Sequence, residues 1–298
     1  MKTTNKYNLP SVFERFDRAN AHTKGGADFS VTGLIDSPRV HRLRSQHHEE
    51  REEDVSSKAW SILGTAVHAI LEGGAEPEQI VEERFHAEVP CSGGTVTVSG
   101  QVDLQTPTPD GYIISDYKTT SAFAVQSNPE GKPEHIKQLN CYAALARLNE
   151  VAVAELEIIA IVRDWTASAA ERSDDYPVAP IVRIPIEMWD EDVAYQYLLD
   201  RAEAHTQDAL PECSFEEMWA RPPVYAVHEL AKSGELRKRA SKLFDNQTDA
   251  EAMSLGLAGS QVIERPRKFA RCEGDYCGVS QWCEQYKRIH LDFINKER

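Results

Sequence analysis

The sequence predicts an α/β fold built on a mixed sheet, and three observations carry that prediction. Residues 81–119 hold three runs with strand patterning, separated by turn residues. Segments 57–74 and 133–150, before and after those runs, place apolar residues at helical spacing. An apolar run at 155–165 and a further strand at 178–189 follow, with a helix continuing to about residue 208. The order is helix, three antiparallel strands, helix, strand, strand, helix, which is an α/β pattern around a mixed sheet.

Each element has a local reason. Residues 1–28 are polar and are expected to form a loosely structured N-terminal extension. In DFSVTGLIDSPRVHRLRSQ (28–46), Ser30 and Thr32 are candidate N-caps for a short helix. HHEEREED (47–54) is a charged helix end or loop. SKAWSILGTAVHAILEGG (57–74) carries Trp60, Leu63, Val67, Ile70 and Leu71 at helical spacing and stops at Gly73-Gly74. VEERFHAEVP (81–90) and GGTVTVSGQVDLQ (93–105) alternate as strands around a turn in CSGG. TPDG (108–111) supplies a hairpin turn into YIISDYKTT. PEHIKQLNCYAALARLNE (133–150) is a helix with proline near its start. ELEIIAIVRDW (155–165) is continuously apolar, as a buried strand is. The chain is thus expected to divide into an extension (1–28), a core (29–210) and a helical C-terminal region with a cysteine cluster, packing on the core (211–298).

Composition excludes several classes. No run approaches the roughly 18 apolar residues of a membrane span, so no membrane partner is expected. MKTTNKYNLP lacks the apolar segment of a signal peptide, and a cytoplasmic location is expected, the host cytoplasm if the chain is phage-encoded. Six cysteines in 298 residues do not make a disulfide framework. The net charge of −15 argues against a non-specific nucleic-acid coat protein. The charge is uneven: residues 232–298 hold 13 Lys and Arg against 10 Asp and Glu, leaving −18 on the rest. Basic clusters at Arg237-Lys238-Arg239 with Lys242, and at Arg265, Arg267, Lys268 and Arg271, fit a solvated face and a phosphate-contacting surface equally well. No G-x-x-x-x-G-K-[ST] loop is present, so no helicase motor is expected within the chain.

The chemistry concentrates in SDYKT. Asp116 and Lys118 are two apart on a strand and share a face. If 93–105 and 111–119 pair through TPDG, Asp103 and Asp116 lie equally far from the turn and side by side. Two carboxylates held together in a poorly solvated place repel, and a cation between them removes the conflict. A hard oxygen site suits Mg²⁺ or Mn²⁺. Lys118 would then orient a water or stabilise charge on a phosphate. Taken alone, D-x-K fits a structural ion pair on an exposed strand as well.

GQVDL followed by SDYKT resembles the PD-(D/E)XK nuclease superfamily, in which an acid on one strand and (D/E)xK on the next build a metal site. The resemblance narrows to the RecB-like branch, with its Cas4-type, AddB-type and phage exonucleases. GTAVHAILE (64–72) is similar to the branch's upstream helix, whose histidine ligates metal, here His68. QLNCY matches its Q-x-x-x-Y motif in Gln138 and Tyr142, and VEERF resembles its strand with a glutamate, Glu83 before Glu82. The resemblance implies a restriction-endonuclease-like core with helical extensions. It implies metal ligands His68, Asp103, Asp116 and the Tyr117 carbonyl, with Asp103, Asp116, Lys118, Gln138, Tyr142 and Glu83 in the catalytic set. It further implies a Mg²⁺- or Mn²⁺-dependent DNA exonuclease in recombination or DNA processing. A single-strand annealing protein as partner, or an oligomer, is in keeping with that branch. A structure-specific endonuclease and a non-catalytic DNA-binding or assembly protein are the alternatives.

Cys272, Cys277 and Cys283 are spaced C-x4-C-x5-C, as ligands of a 4Fe–4S cluster or of zinc can be. In iron–sulfur members of the branch a fourth cysteine near the N-terminus completes the set. Here Ser37 stands at that place, before Pro38-Arg39. Ser37, a water, or His290 for zinc are the candidate fourth ligands, and a site without metal is the other reading. Cys91, Cys141 and Cys213 read as packing residues.

Overall fold

The patterned runs become the three longest strands, β1 (Ile80–Cys91), β2 (Gly94–Thr108) and β3 (Gly111–Thr120). They belong to a computed structural model that describes residues 1–19 and 23–296, so residues 20–22 of the N-terminal extension lie outside the described residues. The chain forms two units, residues 1–42 with 48–211 and residues 43–47 with 212–298.

In the first unit β1 and β2 pair antiparallel from Ile80↔Gln105 to Cys91↔Gly94. On the other edge of β2, β3 pairs antiparallel from Leu104↔Ser115 to Thr108↔Gly111. Strand β4 (Val153–Val162) lies parallel to β3, and β5 (Ile181–Ile186) antiparallel to β4, so the sheet is mixed. A two-residue strand, Phe29–Ser30, joins the β3 edge of β2 through Phe29↔Val98 and Ser30↔Ser99. Between this strand and β3, residues 100–103 of β2 carry no ladder pair on that edge. The sheet therefore opens there.

Helices flank the sheet. Helix α2 (Pro133–Leu148) starts at its proline and buries Leu139, Cys141, Tyr142, Ala143, Leu145 and Ala146. These pack with Val98, Val102, Ile114 and Ile158 in one apolar core. Helix α3 (Glu191–Thr206) adds Ala194, Leu198 and Ala202 to it. Ser30 caps the short helix Val31–Ile35, its Oγ accepting the Gly33 N–H at 3.1 Å. That helix contributes Val31 and Leu34 to the core.

Three expectations change. Helix α1 (Ala59–Glu72), whose apolar residues stand at helical spacing, nevertheless has no buried residue, and Trp60 and Ile70 are 59% and 74% exposed. Its inner side faces the opening in the sheet through Gly64, Thr65, His68 and Glu72, and none of the apolar positions Trp60, Leu63, Val67, Ile70 and Leu71 lines the cleft. The N-terminal extension is structured: Lys2–Thr4 pairs parallel with Glu52–Asp54, and Val12–Ala19 is a helix. Side-chain pairs such as Lys2–Glu52 at 2.8 Å hold a polar ribbon that shows no apolar alternation. The second unit is not simply helical. It contains an antiparallel sheet of β6 (Val224–His228), β7 (Lys242–Phe244) and β8 (Gln261–Arg265). Leu243 and Ile263 are exposed while Ala226 and Val227 are buried, which leaves too short an apolar pattern to read.

A buried histidine ties α3 to the short N-terminal helix. His205 donates from Nε2 to the Leu34 carbonyl at 2.9 Å. Burial first, then Arg201 and His41, hold its imidazole down at about 4. The unfolded chain takes up this proton near pH 6.5. Above that pH both states are neutral; as pH falls from about 6.5 towards 4 only the unfolded state is protonated, and the stability the neutral imidazole contributes, at most about 3 kcal/mol, is lost. His135, pushed down to about 3 by burial and Lys118, acts with the same sign. Replacing His205 with Gln is expected to shrink the fall in melting temperature between pH 7 and 4.5; an unchanged slope in EDTA would refute this.

Candidate functional site

The register that pairs Leu104 with Ser115 puts Asp103 and Asp116 at the next position, where β2 and β3 part. Parting frees the Tyr117 N–H, which donates to Asp103 Oδ2 at 2.8 Å. Asp116 is 2% exposed. Burial, then the Asp116 charge, push the Asp103 acid up to about 8. A cation placed beside such an acid would favour its ionised form.

Helix α1 brings His68 over this pair. His68 Nδ1 is 3.5 Å from Asp103 Oδ1 and 3.8 Å from Glu82 Oε1. Its Nε2 lies 3.2 Å from the Tyr117 carbonyl oxygen. Ligand atoms of His68, Glu82 and Asp103 all lie within 4.8 Å of one another. One imidazole and two carboxylates beside the buried Asp116 are a donor set that fits Mn²⁺ or Mg²⁺.

The glutamate at this cluster is Glu82. Glu83, the first candidate from the sequence, accepts a hydrogen bond from Gln105 and does not line the cleft. Glu82 sits in the ladder between Val81↔Leu104 and Glu83↔Val102, at φ +54°. That left-handed backbone costs a non-glycine residue about 1–3 kcal/mol and clusters at functional sites. Gln101 holds the strained residue, its Nε2 lying 2.8 Å from Glu82 Oε2 and 3.2 Å from the Glu82 carbonyl. Burial raises the Glu82 carboxyl above its ordinary range.

Lys118 pairs with Asp116 Oδ2. Gln138 Nε2 donates to Asp116 Oδ1 at 3.0 Å and lies 2.8 Å from the Tyr142 hydroxyl. Tyr142 is buried, which pushes its phenol well above the usual tyrosine range. Its ring lies on Gly100, where a Cβ would come within 2.7 Å of it, so only glycine fits there. Lys118, Asp116, Gln138 and Tyr142 thus form one chain from the cleft into the core.

The cleft has a volume of about 590 Å³. It is lined by His68, Asp103, Asp116, Lys118, Gln138 and Tyr142, and also by Glu82, Arg84 and Gln101. Sequence reading passed over the last two. Arg84 pairs with Gln101 in the β1–β2 register and donates to its side chain. Gln101 and Asp103, two apart on β2, share a face, and that spacing was the available signal.

In the second unit Cys272, Cys277 and Cys283 are buried, and none of the six cysteines is in a disulfide. Cys213, read as a packing residue, lies against the buried cluster of Met218, Phe269 and Cys272. Gln285 clamps it, accepting the Cys213 N–H at 2.8 Å and donating to its carbonyl at 2.9 Å. Burial, then the Cys277, Cys213 and Cys283 sulfurs, push the Cys272 thiol up to about 12. Among the described residues, the group of three or more His, Cys, Asp or Glu side chains close enough together to hold a metal ion is His68, Glu82 and Asp103, and these thiols do not form another. His290 stacks on Tyr286, and Ser37 Oγ accepts the Val40 N–H at 3.5 Å as an N-cap does.

Among solved structures, the crystal structure of SSO0001 is similar at 19% identity and a TM-score of 0.44, covering 63% of this chain and 82% of that one. No curated protein matches the chain. Residues 74–284, well over half the chain, match the PD-(D/E)XK nuclease superfamily, and the mixed sheet with flanking helices agrees with its restriction-endonuclease-like fold. The chain therefore belongs to the PD-(D/E)XK nuclease superfamily, and with that membership goes metal-dependent nuclease activity.

Proposed function

We propose that this protein is a Mg²⁺- or Mn²⁺-dependent deoxyribonuclease of the RecB-like branch, acting as an exonuclease in phage-type recombination or DNA processing. The observation that carries the reading is the gathering of His68, Glu82, Asp103, Asp116 and Lys118 at the open end of β2 and β3. His68, Glu82, Asp103, Asp116 and the Tyr117 carbonyl are the groups that would hold the ion. When bound, the ion supplies Lewis acidity and an activated water for phosphodiester hydrolysis.

The chain's own residues do the rest. Lys118 offers an ammonium at the cleft, where negative charge builds on the phosphate. Asp116 keeps that ammonium in place, and Gln138, fixed beside Tyr142, keeps Asp116 in place. For the second unit we keep Cys272, Cys277 and Cys283 as the residues that would hold an iron–sulfur cluster or zinc.

The test is cleavage of linear against covalently closed DNA with Mn²⁺, Mg²⁺ or EDTA, on protein whose iron, sulfide and zinc content is measured first. Metal-dependent loss of linear DNA alone is expected. Cleavage of closed circles would replace the exonuclease with an endonuclease. No cleavage with either metal would leave a DNA-binding or assembly role. Absence of iron and zinc in protein purified anaerobically would refute the cysteine centre.

A further inference from the structure

The cleft runs on past the cluster of His68, Glu82 and Asp103. Ser99, Gln101 and Asp103 share one face of β2, and all three line it. Arg84 of β1 lines it too, as the register partner of Gln101. Gln101 is two positions from Asp103, about 7 Å along a strand. Arg84 therefore stands beside the cluster and outside it. Ser30, the register partner of Ser99, adds a hydroxyl to the same cavity, as does Thr32.

Arg84 is held in place without being neutralised. Its guanidinium donates to Ser99 Oγ at 3.3 Å and to the Gln101 side chain, both uncharged acceptors. The Gly25 backbone covers its stem, since a Cβ at Gly25 would come within 2.5 Å of Arg84 Cδ. Among the described residues no carboxylate pairs with Arg84, and its two hydrogen bonds leave most of the N–H donors of a guanidinium for a ligand. Lys118, which also lines the cleft, is already paired with Asp116. The cleft wall further carries Glu72, Glu82, Asp103 and Asp116, and ionised acids there repel a polyanion. A fixed arginine with spare donors offsets that repulsion at one point of the wall.

We propose that Arg84 holds a backbone phosphate of the bound DNA strand, neighbouring the one that is cut, and so sets which bond lies over the cluster. A guanidinium meets phosphate oxygens with parallel N–H donors, and a strand offers those oxygens whatever its sequence. The inference rests on the reading that the protein acts on DNA, and it adds a positioning residue to that reading. The competing role is internal. Gln101 accepts from Arg84 and lies with Nε2 2.8 Å from Glu82 Oε2, so an Arg84 that only oriented this amide would act on a metal ligand. The two roles differ in what they change: strand affinity without metal, or metal affinity without DNA.

The experiment is fluorescence anisotropy of a labelled oligonucleotide with the full chain in EDTA, over a series of salt concentrations, beside calorimetric titration with Mn²⁺ in the absence of DNA. Arg84→Gln is expected to weaken strand binding roughly tenfold, the worth of a hydrogen bond to a charged group. The slope of log affinity on log salt should fall by about one, as one phosphate contact is lost. Arg84→Lys keeps the charge and loses the fork, so it should keep the slope and lose part of the affinity. With Mn²⁺, KM for linear DNA should rise more than kcat falls. Circular dichroism reports folding, and Arg84→Lys decides the matter if Arg84→Gln does not fold. Wild-type strand affinity and salt slope in the folded variants, with weaker Mn²⁺ binding, would overturn the proposal and leave Arg84 the internal role. Wild type that cleaves DNA while the variants bind it equally well would sink this inference and leave the nuclease reading standing. Wild type that neither binds nor cleaves DNA would sink both.

Discussion

Lys118→Met is expected to lower the rate of DNA cleavage by about 10²- to 10³-fold, the usual cost of removing one donor aimed at developing charge. Methionine keeps the length of the side chain and loses only the ammonium. The fold should persist, because Lys118 lies at the cleft and outside the apolar core. Stability in EDTA should nevertheless fall. Asp116, 2% exposed, would keep its hydrogen bond from Gln138 but lose its cation, and an uncompensated buried charge costs about 3 kcal/mol or more. Manganese should restore much of that loss by taking the place of the ammonium near the carboxylate. Single-turnover cleavage and melting temperatures with and without Mn²⁺ measure both effects. A rate within tenfold of wild type would remove Lys118 from the chemistry.

Asp103→Asn separates stability from activity. In the metal-free protein Asp103 is an acid pushed up to about 8 by burial and by Asp116, so at neutral pH it already resists ionisation. Asparagine copies its shape, and its Oδ1 can accept the Tyr117 N–H as Asp103 Oδ2 does. The variant should therefore melt higher than wild type in EDTA. It should also bind Mn²⁺ poorly, since an amide is a weak substitute for a carboxylate ligand, and cleavage should fall on the order of 10³-fold. Calorimetric titration with Mn²⁺ and melting in EDTA decide it. A variant that melts lower than wild type and binds Mn²⁺ equally well would contradict both halves.

The sheet was legible because its strands are buried and patterned. Alternation over 81–105, the Asp110-Gly111 turn and the apolar run at 155–162 specify strands whichever way the rest of the chain folds. The turn alone sets Asp103 beside Asp116, because a hairpin fixes its own register. Glu82 and Glu83 could not be separated that way. Adjacent strand residues alternate faces, and the left-handed backbone at Glu82 has no sequence signature. Arg84 and Gln101 escaped because their value lies in pairing across β1 and β2. The sheet of the second unit escaped because strands of three to five residues with exposed faces carry too little periodicity.

Helix α1, which carries His68 and buries none of its residues, has a thermodynamic consequence. With few apolar contacts to hold it, its local opening requires far less free energy than opening of the sheet. The cluster is complete only while the helix is docked, so the apparent affinity for the metal is the intrinsic affinity multiplied by the docked fraction. A substitution at Trp60 or Ile70 that changes docking would shift metal affinity without touching a ligand. The same coupling works in reverse. A bound ion would add its binding free energy to the docking of α1 and so slow the exchange of that helix's amide protons with solvent.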